Sequence, residues 1–195
     1  MALYTKPYFY KRRVSRYDVP QLIIAGAWFG LWQPFRVFDM GCGIGSYLAA
    51  FRQLGCRIKG CDIGQRVAAP FMRAYVRKRT FRWDATRPIP YQRKADLTIC
   101  LDVAEHLPAE GHTVMWANLV RVTKPGGRVL FTGGTPGQPG CGHISCQSRA
   151  KWVDDGDLAG LVYDHESTEQ AWKALDALRD PLGFRNRVIV FRRPE

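Results

Sequence analysis

The sequence predicts an α/β fold, a doubly wound and mostly parallel sheet of seven strands with helices on both faces. Short apolar segments typical of buried strands alternate with longer segments typical of helices, and turns rich in glycine or proline separate them. Because such alternation builds βαβ units, most strands should run parallel. No repeat or linker divides the chain, so we expect one domain over residues 1–195.

The first half of the chain begins with an aromatic and basic segment, residues 1–18, which lacks clear periodicity and should lie as an arm on the body. A helix is predicted from Val19 to Trp32, with Asp18 as N-cap and Pro20 in its first turn. Strand and helix then alternate through FRVFDM, SYLAAFRQLG, CRIKGCDI, VAAPFMRAYVRK and TFRWDA. Pro70 should disturb the second of these helices.

The second half continues the pattern. ADLTICLDV predicts a strand, EGHTVMWANLVRVT a helix that KPGG ends, and RVLFTGG the next strand. After the loop TPGQPGCGHISCQ we expect a helix near residues 148–158 and a strand in GLVYD. A helix in STEQAWKALDALRD, capped by Ser167, and a strand in NRVIVFRRP complete the prediction.

The turn in VFDMGCGIGS is the main functional signal. Gly41, Gly43 and Gly45 alternate with other residues directly after a strand, where open α/β sheets bind ligands. Glycine lets the backbone take positive φ and approach a ligand. A dinucleotide site would prefer a third glycine at the position of Ser46. Asp39 would repel a pyrophosphate and suits a cationic ligand, such as one with ammonium and sulfonium groups.

A second acid, Asp62, ends the second strand. At this place in dinucleotide-binding folds a carboxylate accepts the hydroxyls of a ribose. A lone aspartate at a strand end is usually a turn or cap residue, but its position after the glycine turn favours the ribose interpretation.

With these residues in place, the sequence resembles the class I S-adenosylmethionine-dependent methyltransferases over most of its length. VFDMGCGIG is similar to their first motif, CDIG to the second and RWDAT to the acidic turn after strand three. ADLTICLDVAEHL resembles the strand-four motif, and LVRVTKPGGRVLFTG the following helix, turn and strand five. The resemblance implies a Rossmann-like fold, S-adenosylmethionine as cofactor, and methyl transfer to an oxygen or nitrogen acceptor.

The resemblance also implies a cofactor site, in which Asp84 faces the adenine amine and Asp102 the methionine end. The aromatic arm, with Tyr4, Tyr8, Phe9, Tyr10 and Tyr17, would cover this site or pack on the domain or a partner. The predicted cofactor residues are Asp39, Gly41, Cys42, Gly43, Gly45, Asp62, Ile63, Asp84, Ala85, Leu101, Asp102 and Val103.

The segment GHISCQSRAKW resembles small bacterial and phage-type methyltransferases with the pattern H-x-N-x-Q-P-x-x-Y-W. This chain departs from that pattern at Ser145, Ser148 and Lys151, so we assign no acceptor from it.

Two histidines are candidate catalytic residues. His106 follows strand four, where it could take a proton at neutral pH or, with Glu105, brace the following helix. His143 lies in the long loop after strand five, and loops of this kind are commonly functional. His112 and His165 are interpreted as surface residues.

The sequence predicts no metal site. Cys141, His143 and Cys146 are close together, but a structural zinc site needs a fourth ligand and better-separated pairs. A site at Glu105 and His106 would need a third ligand.

The net charge of +12 would attract polyanions or phosphorylated acceptors, although an arginine-biased genome also produces such a charge. The base-methylation signatures, Asn- or Asp-Pro-Pro-aromatic and Pro-Cys, are absent, which disfavours DNA bases. The expected acceptor is a small molecule, a glycan or RNA. The main alternative is a basic nucleic-acid-binding module with a non-catalytic S-adenosylmethionine site, and a dinucleotide oxidoreductase is a distant third.

Six scattered cysteines suggest free thiols in a reducing cytoplasm. The longest apolar segment, residues 19–32, is too short to span a bilayer, so we expect a cytoplasmic location and no membrane partner.

Overall fold

The computed structural model describes residues 5–14, 18–180 and 182–195. Seven strands form one sheet in the order β3-β2-β1-β4-β5-β7-β6. Strands β1 to β5 run parallel to one another, and β7 runs antiparallel to both β5 and β6. The predicted mostly parallel α/β sheet is therefore confirmed. The strands are β1 (Arg36–Met40), β2 (Arg57–Asp62), β3 (Thr80–Arg82), β4 (Ala95–Leu101), β5 (Thr123–Thr132), β6 (Val162–Tyr163) and β7 (Ile189–Arg192).

The helices between these strands cover both faces of the sheet. Three short 3₁₀ turns, Ala69–Phe71, Ala104–His106 and Ala109–Gly111, add to them. The α-helices are α1 (Lys6–Val14), α2 (Asp18–Trp32), α3 (Ser46–Gln53), α4 (Gln65–Ala68), α5 (Ala74–Arg77), α6 (His112–Val122), α7 (Arg149–Leu158) and α8 (His165–Ala177).

Each face of the sheet has its own core, because successive strand residues point to opposite sides. Val37 and Leu97 pack with residues of α1, α2, α3 and α8 on one face. Phe38 and Phe131 pack with residues of α6 and α7 on the other. The central strands are therefore buried on both faces, as expected for a parallel sheet. This rigid double layer fixes the positions of the turns at the carboxyl ends of the strands.

The amino-terminal region contains a helix where the sequence shows no clear periodicity. Residues 6–14 form α1, and Phe9 is only 1% exposed in the core shared with α2 and α3. A helix this short is marginal alone and depends on tertiary packing, which a periodicity argument does not detect. Tyr4 and Tyr17 lie outside the described residues.

The helix containing Pro70 breaks into α4, a 3₁₀ turn and α5, in line with the disturbance expected at Pro70. Two local predictions differ from the structure. Strand β5 begins at Thr123, because a register shift against β4 accommodates the KPGG segment within the strand. Ser167 is not the cap of α8. Asp164 caps it, since its Oδ1 accepts a hydrogen bond from the Ser167 backbone N–H at 2.9 Å.

Candidate functional site

The glycine turn after β1 depends on the absence of side chains. Gly41, Gly43 and Gly45 have φ values of +82°, +52° and +78°. A Cβ on Gly41 would lie 2.2 Å from Cγ2 of Val103, and one on Gly45 would lie 2.4 Å from Cγ1 of Val76. A Cβ on Gly43 would meet nothing within 4 Å. The first and third glycines therefore permit close packing, whereas Gly43 lies beside open space.

Asp62 holds this turn in place. Its Oδ2 accepts a hydrogen bond from the Gly43 N–H at 2.8 Å, and its Oδ1 accepts one from the Gly64 N–H at 2.6 Å. The side chain is 7% exposed. Because a carboxylate has about four acceptor positions, bracing two backbone groups is compatible with contact to a ligand. The carboxylate at the end of β2 thus joins the turns after β1 and β2.

Asp39 is a buried acid in the same region. It is 4% exposed, and among the described residues none donates a hydrogen bond to its carboxylate. Burial, together with the negative charge of Asp62, raises the pKa of Asp39 well above its ordinary value. This part of the site therefore favours a positive charge nearby.

Two further acids follow the next strands. Asp84 Oδ1 accepts hydrogen bonds from the backbone N–H of Thr86 at 2.9 Å and from its hydroxyl at 2.7 Å. Asp102 has a φ of +54°, which aspartate tolerates better than most residues. Its carboxylate accepts from the Thr132 hydroxyl at 3.0 Å and forms an ion pair with Arg187. Both carboxylates are thus held in fixed positions.

These acids surround a cavity of about 570 Å³ at the carboxyl ends of the strands. Its size is within the usual range of small-molecule and cofactor sites. Every predicted cofactor residue lines it except Gly45, whose missing side chain makes room for Val76. His106 and His143 also line the cavity.

The sequence analysis missed several residues that line the cavity, among them Gln21, Tyr47 and Phe184. Gln21 is 1% exposed, and no described residue hydrogen-bonds to either atom of its amide. Such a buried amide is costly unless a ligand or water satisfies it. The sequence signal for Gln21 is that it is a single glutamine within the otherwise apolar sequence of α2.

The structure brings the two candidate catalytic histidines together. The rings of His106 and His143 meet edge to face, with centroids 5.0 Å apart. Nδ1 of His106 lies 3.0 Å from the Gly142 carbonyl, and Nδ1 of His143 lies 3.3 Å from the Gln138 carbonyl. Since a carbonyl only accepts, each Nδ1–H donates, and Nε2 carries the lone pair of the neutral ring.

Glu105 lies beside these histidines. Its backbone carbonyl accepts hydrogen bonds from Ile144 at 2.9 Å and Ser145 at 3.2 Å, which ties the loop after β5 to the 3₁₀ turn after β4. Burial, reinforced by the charge of Asp102, raises the pKa of the Glu105 carboxyl to about 7. Ligand atoms of Glu105, His106 and His143 lie within 4.8 Å of one another.

His112 is not a surface residue, contrary to the sequence-based interpretation. It is 5% exposed, with Nε2 2.9 Å from the Ala104 carbonyl and Nδ1 2.9 Å from Nε2 of Gln147. The side chain of His165 is 72% exposed, as expected.

The cysteines are free. Cys42, Cys56, Cys61 and Cys100 are buried, whereas Cys141 is exposed and Cys146 partly so. Across the described ranges, no helix combines the length and apolar character needed to cross a bilayer.

Comparison with known proteins gives a family match over the central part of the chain. Residues 38–131, from β1 to β5, match the family model described as a methyltransferase domain. Among curated proteins, none matches the sequence significantly.

Solved structures share the fold at low sequence identity. A TehB-like SAM-dependent methyltransferase from Corynebacterium glutamicum has a TM-score of 0.63 and 15% identity, over 89% of this chain and 88% of the other. Magnesium protoporphyrin IX methyltransferase from Synechocystis with bound SAH has a TM-score of 0.60 and 20% identity, over 91% and 84%. YcgJ from Bacillus subtilis has a TM-score of 0.59 and 19% identity, over 87% and 93%. Residues 38–131 of this chain thus match a methyltransferase domain, and most of the chain shares the fold of S-adenosylmethionine-dependent methyltransferases.

Proposed function

We propose that the protein methylates an oxygen or nitrogen of a small-molecule acceptor, with the cofactor bound in the cavity beside the glycine turn. The supporting observation is that this cavity is lined by buried acids, of which Asp39 is 4% exposed and accepts no hydrogen bond from a described residue. A ligand with ammonium and sulfonium groups supplies the missing positive charge.

The cofactor residues are proposed strand by strand. Asp62 would accept the ribose hydroxyls, Asp84 and Ala85 would lie at the adenine, and Asp102 at the methionine end. Gln21, whose buried amide has no partner among the described residues, is a further candidate contact. When bound, S-adenosylmethionine supplies a methyl group made electrophilic by its sulfonium.

His106 and His143 are proposed to handle the acceptor's proton. Both line the cavity, and in both rings the Nδ1–H donates to a backbone carbonyl. These bonds orient the rings and leave the Nε2 lone pair as the basic position. A neutral imidazole is a common general base in enzymes.

The acceptor side of the cavity supports a small molecule better than a polymer. Apolar or uncharged residues line it there, including Leu107, Pro108, Pro139 and Phe184. Similar folds occur in structures described as magnesium protoporphyrin IX methyltransferase and N-acetylserotonin methyltransferase, whose named acceptors are small molecules. A glycan or RNA is the second acceptor class.

We also propose a cytoplasmic location, because free thiols are typical of proteins in a reducing compartment.

One observation favours the alternative of nucleic-acid binding. A groove of about 620 Å³ contains basic residues at the amino ends of the strands, such as Arg36, Arg57 and Lys59. This groove lies at the opposite edge of the sheet from the glycine turn. A polyanion bound there would not place its bases in the cavity.

The first test is calorimetric titration with S-adenosylhomocysteine, followed by transfer of labelled methyl into separated small-molecule, RNA, protein and DNA fractions. We expect binding at one site per chain and label in the small-molecule fraction. Salt-sensitive RNA or DNA binding without methyl transfer to any fraction would instead support the nucleic-acid-binding module.

Asp62→Ala should weaken S-adenosylhomocysteine binding by about 1–3 kcal/mol, roughly 5- to 150-fold, because a buried hydrogen-bond acceptor is lost. Since Asp62 also braces Gly43 and Gly64, titration with the 2′,3′-dideoxy analogue separates the two roles. The analogue should bind wild type more weakly than the parent compound, and bind the variant about as well as the parent does.

Asp157→Ala is the matched control, because Asp157 Oδ1 also accepts a backbone N–H, that of Tyr163 at 3.0 Å, and is not among the cavity residues. It should leave the affinity for both ligands unchanged. An equal loss of affinity for parent and analogue in Asp62→Ala would refute the ribose role.

Asp39→Asn should raise the melting temperature of the ligand-free protein at neutral pH while weakening S-adenosylmethionine binding. Because the folded-state pKa of Asp39 lies above its ordinary 3.8, the stability that its protonated form contributes is present below pH 3.8 and is lost as pH rises through the folded pKa. The increase in melting temperature caused by Asp39→Asn should therefore become larger as the pH rises through that range. A melting temperature that is lower than wild type at every pH would contradict this account.

A further inference from the structure

We propose that Glu105, His106 and His143 form a binding site for one divalent transition-metal ion, with Zn²⁺ as the best match to the donor set. The three side chains come from two segments, the 3₁₀ turn after β4 and the loop after β5. One ligand atom from each lies within 4.8 Å of the others. Zinc ligands stand about 2.0–2.2 Å from the ion, hence about 3–4 Å from each other, so only a small closure is needed.

Glu105 supplies the strongest observation. It is 0% exposed, and no described side chain donates a hydrogen bond to either carboxylate oxygen. A buried carboxylate without a cationic partner is costly, and such groups normally pair with a cation or coordinate a metal. A nearby cation, Arg187, is paired with Asp102 instead. An ion between the carboxylate and the imidazoles would satisfy the glutamate.

The two histidines are oriented as metal ligands usually are. In known sites the nitrogen that does not bind the metal commonly donates to a carbonyl or carboxylate, which fixes the ring and its tautomer. Here Nδ1 of His106 and of His143 lie against the carbonyls of Gly142 and Gln138, so Nε2 is the coordinating atom. A Cβ on Gly140 would lie 2.2 Å from Nε2 of His143, so glycine at this position lets the imidazole pack against the backbone.

The surrounding backbone holds the three ligands in one frame. The carbonyl of Glu105 accepts hydrogen bonds from Ile144 and Ser145, directly after His143. A Cβ on Gly134 would lie 2.8 Å from Cβ of Glu105, so the glutamate packs closely against β5's end. The loop that carries His143 is therefore attached to the turn that carries the other two ligands.

The donor set selects the class of metal. Two imidazole nitrogens and one carboxylate oxygen suit Zn²⁺ and its transition-metal neighbours, whereas Mg²⁺ and Ca²⁺ prefer oxygen ligands. Three protein ligands also leave a coordination position open, as in catalytic zinc sites. His106 and His143 line the cavity, so the open position would face it.

This placement gives the metal a role that rests on the proposed function. With the ion bound, the Nε2 lone pairs of both histidines are used as ligands, so the ion would replace the imidazoles in activating the acceptor, whose proton would leave to solvent. An acceptor with a hydroxyl or another oxygen donor could coordinate the open position, and a bound cation lowers the pKa of such a hydroxyl. The acceptor class would then be oxygen-bearing small molecules that can bind a metal. The metal site itself does not depend on this role.

The test is calorimetric titration of chelator-treated protein with Zn²⁺, supported by the visible absorption spectrum of the Co²⁺-substituted protein. Wild type should bind one high-affinity equivalent. Glu105→Gln, which preserves the shape of the side chain, and His143→Ala should each bind Zn²⁺ at least about 100-fold more weakly. Even the loss of a residue that only hydrogen-bonds to a metal ligand typically costs about 10–100-fold in metal affinity.

His165→Ala is the control, because its imidazole is exposed and lies outside the cluster, and it should bind like wild type. If wild type binds no high-affinity equivalent of Zn²⁺, the proposal is overturned. It is also overturned if Glu105→Gln binds Zn²⁺ as wild type does while Cys146→Ser does not bind it, because the ion would then belong to the thiols. S-adenosylhomocysteine is titrated into the same preparations. If the protein binds S-adenosylhomocysteine but no Zn²⁺, the metal site alone is refuted. If it binds Zn²⁺ but no S-adenosylhomocysteine, the proposed function alone is refuted.

Discussion

The site depends on the hydrogen bonds that the buried carboxylate of Asp62 accepts. This carboxylate accepts the N–H groups of Gly43 and Gly64 and so links the turns after β1 and β2. Burial raises the pKa of the neighbouring Asp39, and the charge of Asp62 raises it further. Asp39 has no hydrogen-bond donor among the described residues. The structure thus places the carboxylate of Asp39 in a cavity of about 570 Å³, where no described residue forms an ion pair with it. We propose that a cationic ligand completes this arrangement.

The sheet and most cavity residues could be predicted because they follow from local signals. Buried strands read as short apolar runs, and the turns at their carboxyl ends must meet at one edge of a parallel sheet. This reasoning placed Asp39, Asp62 and His106 at the same cavity. Two small errors, the cap of α8 and the start of β5, arose where a neighbouring residue or a register shift decided the boundary.

The remaining features depend on contacts between distant segments, which a single sequence does not show. His112 is buried because Gln147 and the Ala104 carbonyl engage its two nitrogens. Glu105 is buried because the loop after β5 folds back over it, and the same loop sets His143 against His106. The sequence offered these three residues as separate possibilities, and only the fold brings them together. That cluster now stands beside the cofactor cavity as a proposed metal site.

The central claim is that the buried carboxyl of Asp39, which forms no ion pair with a described residue, is positioned to bind a cationic cofactor. The most direct measurement is an NMR titration of the ¹³C-labelled Asp39 carboxyl, with and without S-adenosylmethionine. The account predicts a pKa well above 3.8 in the free protein that falls when the ligand binds. A pKa that is ordinary in the free protein, or one that saturating S-adenosylmethionine does not move, would contradict it.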